Sequence, residues 1–156
     1  MAHGDRLIRD RETPPAGHQH IRVCNSDGEF LHLLNQQVVR LAAELANNPL
    51  TATLVDLKEI IVTIRATRRF RESIIDDFRQ RPKFGKVDSF NALLKTAAEQ
   101  FDRDPTETTL ADMFEVVDRV CIVLEGVTPS YLETLRQTKL QSLGGFHERR
   151  VLSALS

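Results

Sequence analysis

From Phe30 onward the apolar residues fall at intervals of three and four: Phe30, Leu33, Leu34, Val38, Leu41 and Leu45. That interval is the signature of an amphipathic helix with one face turned to a core. Asn48-Pro49 then reads as an N-cap with proline at the first position of a second helix. Ile60, Ile61, Ile64, Phe70, Ile74, Ile75 and Phe78 carry the period to about Gln80, where Pro82 and Gly85 stop it. The four arginines between Arg65 and Arg71 mark a place for a break or kink. Asp104-Pro105-Thr106-Glu107 has the form of a capping box at the start of another helix. Gly126-Val127-Thr128-Pro129 ends that helix and caps a last one, which runs through Leu132, Leu135 and Leu140 to a C-cap at Gly144-Gly145.

Two of these stretches repeat. Val38-Val39-Arg40-Leu41-Ala42-Ala43-Glu44 recurs as Leu93-Leu94-Lys95-Thr96-Ala97-Ala98-Glu99, and residues 53–61 recur as 109–117. One extra residue separates the second pair of blocks, in the turn where insertion costs least. The pattern predicts a duplicated helical hairpin. The expected fold is therefore all-α: an antiparallel bundle of four long helices plus a shorter C-terminal helix. One domain would cover residues 1–156. It would hold an irregular N-terminal segment at 1–27, a first hairpin at about 28–80, a second at about 88–125, and a C-terminal helix and tail at 128–156. Within the first segment, His20 to Cys24 alternates like a short extended piece, and the tail from Phe146 extends and docks.

Composition adds bounds. The chain's 156 residues suffice for a core, and a net charge of -1 excludes a global field that would draw it to nucleic acid or membrane. No apolar run approaches the ~20 residues that cross a bilayer. With a polar start and two cysteines far apart, the expectation is a cytoplasmic protein with reduced thiols, Cys121 lying on a core face.

The acids inside the repeat are the candidates for chemistry. Glu44 closes one helix and Asp56 opens the next, with Glu59 one turn on; Glu99, Asp112 and Glu115 are their counterparts. An antiparallel hairpin sets the end of its first helix beside the start of its second. A carboxylate-lined bundle interior would suit Mg²⁺, a hard cation that takes oxygen ligands. The plain alternative is that acids at i, i+3 are solvated helix faces or dipole partners.

Three stretches resemble one family. Leu7-Ile8-Arg9-Asp10-Arg11 looks like the Leu-Val-Arg-Asp-Lys opening of the small all-α nucleotide pyrophosphohydrolases, the MazG-like and phosphoribosyl-ATP pyrophosphohydrolase-like group. The repeated blocks resemble that group's Lys-Leu-x-Glu-Glu-x-x-Glu helix followed by Glu-Leu-Ala-Asp-Val-Leu-Glu. Gly144-Gly145-Phe146-His147-Glu148-Arg149-Arg150-Val151-Leu152 resembles its Gly-Gly-Phe-Glu-Lys-Arg-Ile tail. The resemblance implies Mg²⁺-dependent cleavage of a nucleoside triphosphate or related nucleotide with release of pyrophosphate. Glu44, Asp56, Glu99 and Asp112 would be catalytic metal ligands, with Glu59 and Glu115 as further ligands. Arg9, Arg11, Arg149 and Arg150 would grip phosphate oxygens.

The chain departs from that pattern where the family places its ligands. By position the first copy has Arg40, Leu41, Glu44, Thr53 and Asp56, and the second has Lys95, Thr96, Glu99, Thr109 and Asp112. Each keeps an acid at two of these five positions and puts a cation first. That cation would repel Mg²⁺ or replace its charge by pairing with Glu44 or Glu99. The alternative function is thus an inactive relative that acts as a protein-binding or regulatory module. Family members with one hairpin assemble as oligomers, so two hairpins here imply a pseudo-dimer in one chain, or pairing of copies across a homodimer.

Two other signals are weak. His18, His20 and Cys24 have zinc-type donors without a fourth at a familiar spacing. The basic stretch from Arg65 to Lys86 is interleaved with Glu72, Asp76 and Asp77, which favours a salt-bridged face over a nucleic-acid contact.

Overall fold

The computed structural model describes residues 6–12, 20–48, 50–71, 90–123 and 127–153. They form five helices and a small sheet: β1 (Arg6–Leu7), β2 (His20–Val23), α1 (Asp27–Asn47), α2 (Thr51–Thr67), α3 (Phe90–Arg103), α4 (Glu107–Val123), α5 (Pro129–Leu143) and β3 (Arg150–Ser153). The chain is mostly helical, as the periodicity predicts. The C-terminal helix, at 15 residues, is not shorter than α3, at 14.

α1 begins at Ser26, whose Oγ accepts a hydrogen bond from the Glu29 backbone N–H at 3.1 Å. Its predicted stripe (Phe30, Leu33, Leu34, Val38, Leu41, Leu45) is buried. α2 begins two residues later than Asn48-Pro49 suggested. Leu50 stands at its N-cap without a side-chain bond, and Asn48 instead caps the end of α1. α2 ends at Thr67, where Arg69 takes a left-handed turn (φ 59°). The periodicity expected onward to Gln80 falls largely outside the described residues. α4 is capped by Thr106, not Asp104: Thr106 Oγ1 accepts from the Thr109 N–H, and Thr109 Oγ1 accepts from the Thr106 N–H. This reciprocal pair does the work of a capping box.

α1 packs on α2 and α3, α4 packs on α3 and α2, and α5 lies against α2 and α4. α2 is buried on several faces through Leu54, Leu57, Ile60, Ile61 and Ile64, which explains its run of β-branched and leucine residues. The side chains of residues 121–126 are outside the described set.

The N-terminal segment is not wholly irregular. β3 sits at the centre of an antiparallel sheet ordered β1-β3-β2, with Leu7 opposite Val151 and Ile21 opposite Leu152. The tail therefore closes the fold onto its beginning. Gly144 makes the turn at φ 78°, where a side chain would be strained and an added Cβ would come within 3.0 Å of the Asp10 Cβ. Among the described residues no helix is long and apolar enough to cross a membrane.

Candidate functional site

Opening, first hairpin and tail, the three stretches that carried the resemblance, meet around Asp56. The buried Gln37 side chain on α1 pins the opening strand, accepting from the Leu7 N–H at 3.2 Å and donating to the Leu7 carbonyl at 3.4 Å. That places Arg9, only 3% exposed, over the Phe146 ring at 5.5 Å. Arg9 donates to the Gly144 carbonyl at 3.0 Å and to Asp56 Oδ1 at 2.8 Å. From α5, Lys139 Nζ reaches the same Asp56 oxygen at 2.7 Å. One turn further, Arg136 donates to Glu59 Oε1 at 2.8 Å and also grips Glu133. Asp56 and Glu59, at i, i+3 on α2, are thus matched in antiparallel register by Lys139 and Arg136, at i, i+3 on α5. Burial opposes the charge on Arg136, but hydrogen bonds and charges from Glu133 and Glu59 outweigh it and hold the guanidinium above its ordinary value.

Beside Asp56 opens a cavity of about 640 Å³, walled by Arg6, Arg9, Gln37, Arg40, Glu44, Ile60, Lys139 and Phe146 among others. Arg40 and Glu44 both face it, yet among the described residues neither makes an ion pair or side-chain hydrogen bond. The expected pairing of Arg40 with Glu44 is absent; the cations that neutralise Asp56 come from outside the repeat. Although Arg40 is exposed as a residue, partial desolvation lowers its guanidinium, opposed by Glu44 and reinforced by the like charge of Arg6. A second cavity of about 370 Å³ lies across Phe146, lined by Phe30, Glu59, Thr63, Arg136, Leu140 and Arg149 among others.

The remaining acids go elsewhere. Asp112 is 7% exposed and borders a third cavity with Arg103, Asp104 and Thr109. Glu115 is buried beside Arg119, whose Nε lies at 3.9 Å. Glu99 and Lys95 are exposed on α3 and line none of these cavities. The structure therefore brings Glu44 and Asp56 together and leaves Glu59, Glu99, Asp112 and Glu115 apart from them. Among the described residues no three His, Cys, Asp or Glu side chains are grouped as a metal ion would require. The donors do not fit Mg²⁺: Asp56 Oδ1 holds two cations, and Glu12, the third acid on the cavity, accepts from the Arg9 N–H and faces Arg6 at 3.5 Å. Of the zinc-type donors only Cys24 has a described side chain; those of His18 and His20 lie outside the described set.

Three of the four arginines expected to hold phosphate fasten the termini instead. Arg11 donates to the carbonyls of Leu140, Gln141 and Ser142 at the C-terminal end of α5. Arg150 donates to the carbonyls of Arg9, Asp10 and Glu12. Arg149 pairs with Asp27 and covers the Phe30 ring at 4.5 Å. Asp10 completes the clasp, accepting from the His147 and Glu148 N–H groups at 3.2 and 2.8 Å. Three of the four described arginines of the basic stretch are likewise engaged: Arg65 donates to the Phe70 carbonyl, Arg68 covers Phe101 at 5.6 Å, and Arg71 pairs with Glu107. Residues 72–89 lie outside the described set.

Arg6, Gln37 and Lys139 were not among the residues singled out from sequence. Lys139 had a signal, since the spacing of Arg136 and Lys139 complements that of Asp56 and Glu59. No protein-family model matches the chain, and neither a curated protein nor a solved structure matches it.

Proposed function

We propose that this protein is a non-hydrolysing relative of the all-α nucleotide pyrophosphohydrolases, working as a binding module. The observation that carries this reading is the double pairing of Asp56 Oδ1 with Arg9 and Lys139. A unit charge pair about 4 Å apart is worth about 4 kcal/mol at an effective dielectric near 20. A dication at this carboxylate meets two such repulsions, and the carboxylate that would attract it is already neutralised. Metal chemistry at Asp56 would first require Arg9, 97% shielded and bonded to Gly144, or Lys139 to leave.

The fold supports the proposed ancestry in outline. α1–α2 and α3–α4 pack with α1 on α3 and α2 on α4, the pairing that two duplicated hairpins would make. On this reading the chain is its own pseudo-dimer. A buried free thiol at Cys24 suits a reducing, cytoplasmic setting.

Hydrolysis keeps one observation in its favour: Glu44 and Asp56 border one cavity, and Asp56 Oδ2 accepts no hydrogen bond from a described residue. The two readings separate cleanly. Purified protein is incubated with Mg²⁺ and a panel of nucleoside triphosphates, and pyrophosphate release is followed. The binding-module reading expects no turnover. Release that disappears in Asp56→Asn would overturn it.

A further inference from the structure

The cavity beside Asp56 has more unused donors than unused acceptors. Lys139 Nζ carries three N–H donors and uses one on Asp56. Arg40 offers five, and none is engaged by a described residue. Arg6 makes one long contact, 3.5 Å to Glu12. On the acidic side Glu12 is occupied by Arg9 and Arg6, and one oxygen of Asp56 is occupied by Arg9 and Lys139. Four cations thus face three carboxylates across the lining. Arg6 and Arg40 come from different segments, β1 and α1, yet lie near enough for one charge to act on the other. Glu44 and Glu12 offset part of that repulsion, but neither makes a side-chain hydrogen bond to Arg40, so its donors stay open to a complementary ligand.

The frame around these groups is fixed. Arg9 is anchored to Gly144, Asp56 and the Phe146 face, and Gln37 holds Leu7 from both sides. A volume of about 640 Å³ falls in the range of roughly 300–1,000 Å³ typical of small-molecule sites. Guanidinium forks match the geometry of oxyanions, and an ammonium adds a compact point charge.

We infer that this cavity binds a compact oxyanion of two or more charges directly, without a divalent cation, through Arg40, Lys139 and Arg6. The inference rests on the non-hydrolysing reading and goes further, because it assigns the ligand class and replaces the metal with the chain's own cations. Phosphoryl and polycarboxylate groups share this chemistry, so the test carries an arm for each.

Inorganic pyrophosphate and citrate are titrated separately into the full chain by calorimetry, at low salt with excess EDTA. Pyrophosphate binding is expected, weakening steeply as salt rises. Lys139→Met and Arg40→Gln are each expected to weaken it at least tenfold, while Arg103→Gln, outside the cavity, leaves it unchanged. Circular dichroism of the unliganded variants confirms that they remain folded. Preference for pyrophosphate over citrate assigns a phosphoryl ligand; equal or stronger citrate binding assigns the site to polycarboxylates, and either result supports the oxyanion site. No binding of either anion in EDTA, binding only after Mg²⁺ is added, or equal loss in Arg103→Gln would overturn it. Failure here without any nucleotide turnover leaves the non-hydrolysing reading standing, so the two proposals fail separately.

Discussion

Replacing Arg136 by Met tests the charge ladder between α2 and α5 at its most buried rung. Glu59 is 5% exposed and Arg136 is 8% exposed, with a 2.8 Å hydrogen bond between them. Met preserves much of the apolar stem of Arg136 but removes the guanidinium, leaving the Glu59 carboxylate buried without its counter-charge. Breaking a buried pair from one side costs about 3–5 kcal/mol, most of it the desolvation of the stranded ion. Glu133 loses the same partner, but its side chain is 39% exposed and water replaces the contact. Urea unfolding followed by circular dichroism reads the effect. With a slope of about 2 kcal/mol per molar, the midpoint should fall by about 2 M. Adding Glu59→Gln removes the stranded charge, so the double variant should regain more than half of the loss. The pair's coupling energy then follows from the cycle. A loss under about 1 kcal/mol for Arg136→Met would refute the reasoning, because it would mean that water from the cavity beside Phe146 solvates Glu59. A double variant whose loss equals the sum of the single losses would refute it too.

Three further outcomes are expected. Gly144→Ala forces a Cβ into a left-handed residue against Asp10, and should cost at least about 1–2 kcal/mol in the same urea assay; an unchanged midpoint would show that the turn has another conformation available. Lys139→Met removes one of the two cations on Asp56 Oδ1 and leaves Arg9, so millimolar Mg²⁺ should raise the melting temperature of this variant and leave the native chain unmoved; no differential rise would show that Arg9 alone excludes the metal. Burial, and then the charge of Glu29, raise the Cys24 thiol above its ordinary value, with Arg22 and Arg149 opposing. Stability from this protonated thiol is fully present below the unfolded thiol's pKa and is lost as pH rises through the higher folded value. Alkylation of the native protein should therefore stay slow near pH 8 and accelerate only at more alkaline pH, earlier in Glu29→Gln; rapid modification at neutral pH would contradict it.

Much of the helical scaffold was legible because periodicity reports which face is buried, and α1 buries the stripe its sequence marks. Helix ends were less legible because several residues compete to cap. Asp104-Pro105 has the composition of an N-cap, but the reciprocal Thr106–Thr109 bonds decide the start of α4. Arg69 ends α2 through its own backbone turn, with no glycine or proline to announce it. The sheet was legible only as extended pieces. Two- and four-residue strands carry little local signal, and β3 exists by pairing with segments more than a hundred residues away. The hairpin geometry correctly sets Glu44 near Asp56, since a short turn joins their helices. Convergence of both acid sets needed the packing of α3–α4 on α1–α2, a tertiary fact with no sequence period.

Three of the six acids in the repeats, Asp56, Glu59 and Glu115, have an explanation that needs no ion. In the first, Asp56 and Glu59 match Lys139 and Arg136 on a helix that has no counterpart in the repeated blocks. In the second, Glu115 has Arg119 one turn along its own helix. Both arrangements favour keeping a carboxylate at the repeated position, because a buried carboxylate and its cation are costly to separate and an isolated loss of either is destabilising. Retention of an acid at the Glu59 and Glu115 positions therefore follows as readily from two unrelated ion pairs as from one shared metal. What distinguishes the cases is the second oxygen and the neighbouring cations. At Asp56 the cations Arg9 and Lys139 converge from opposite ends of the chain onto a single oxygen, an arrangement suited to holding a carboxylate still beside an anion and poorly suited to admitting a dication.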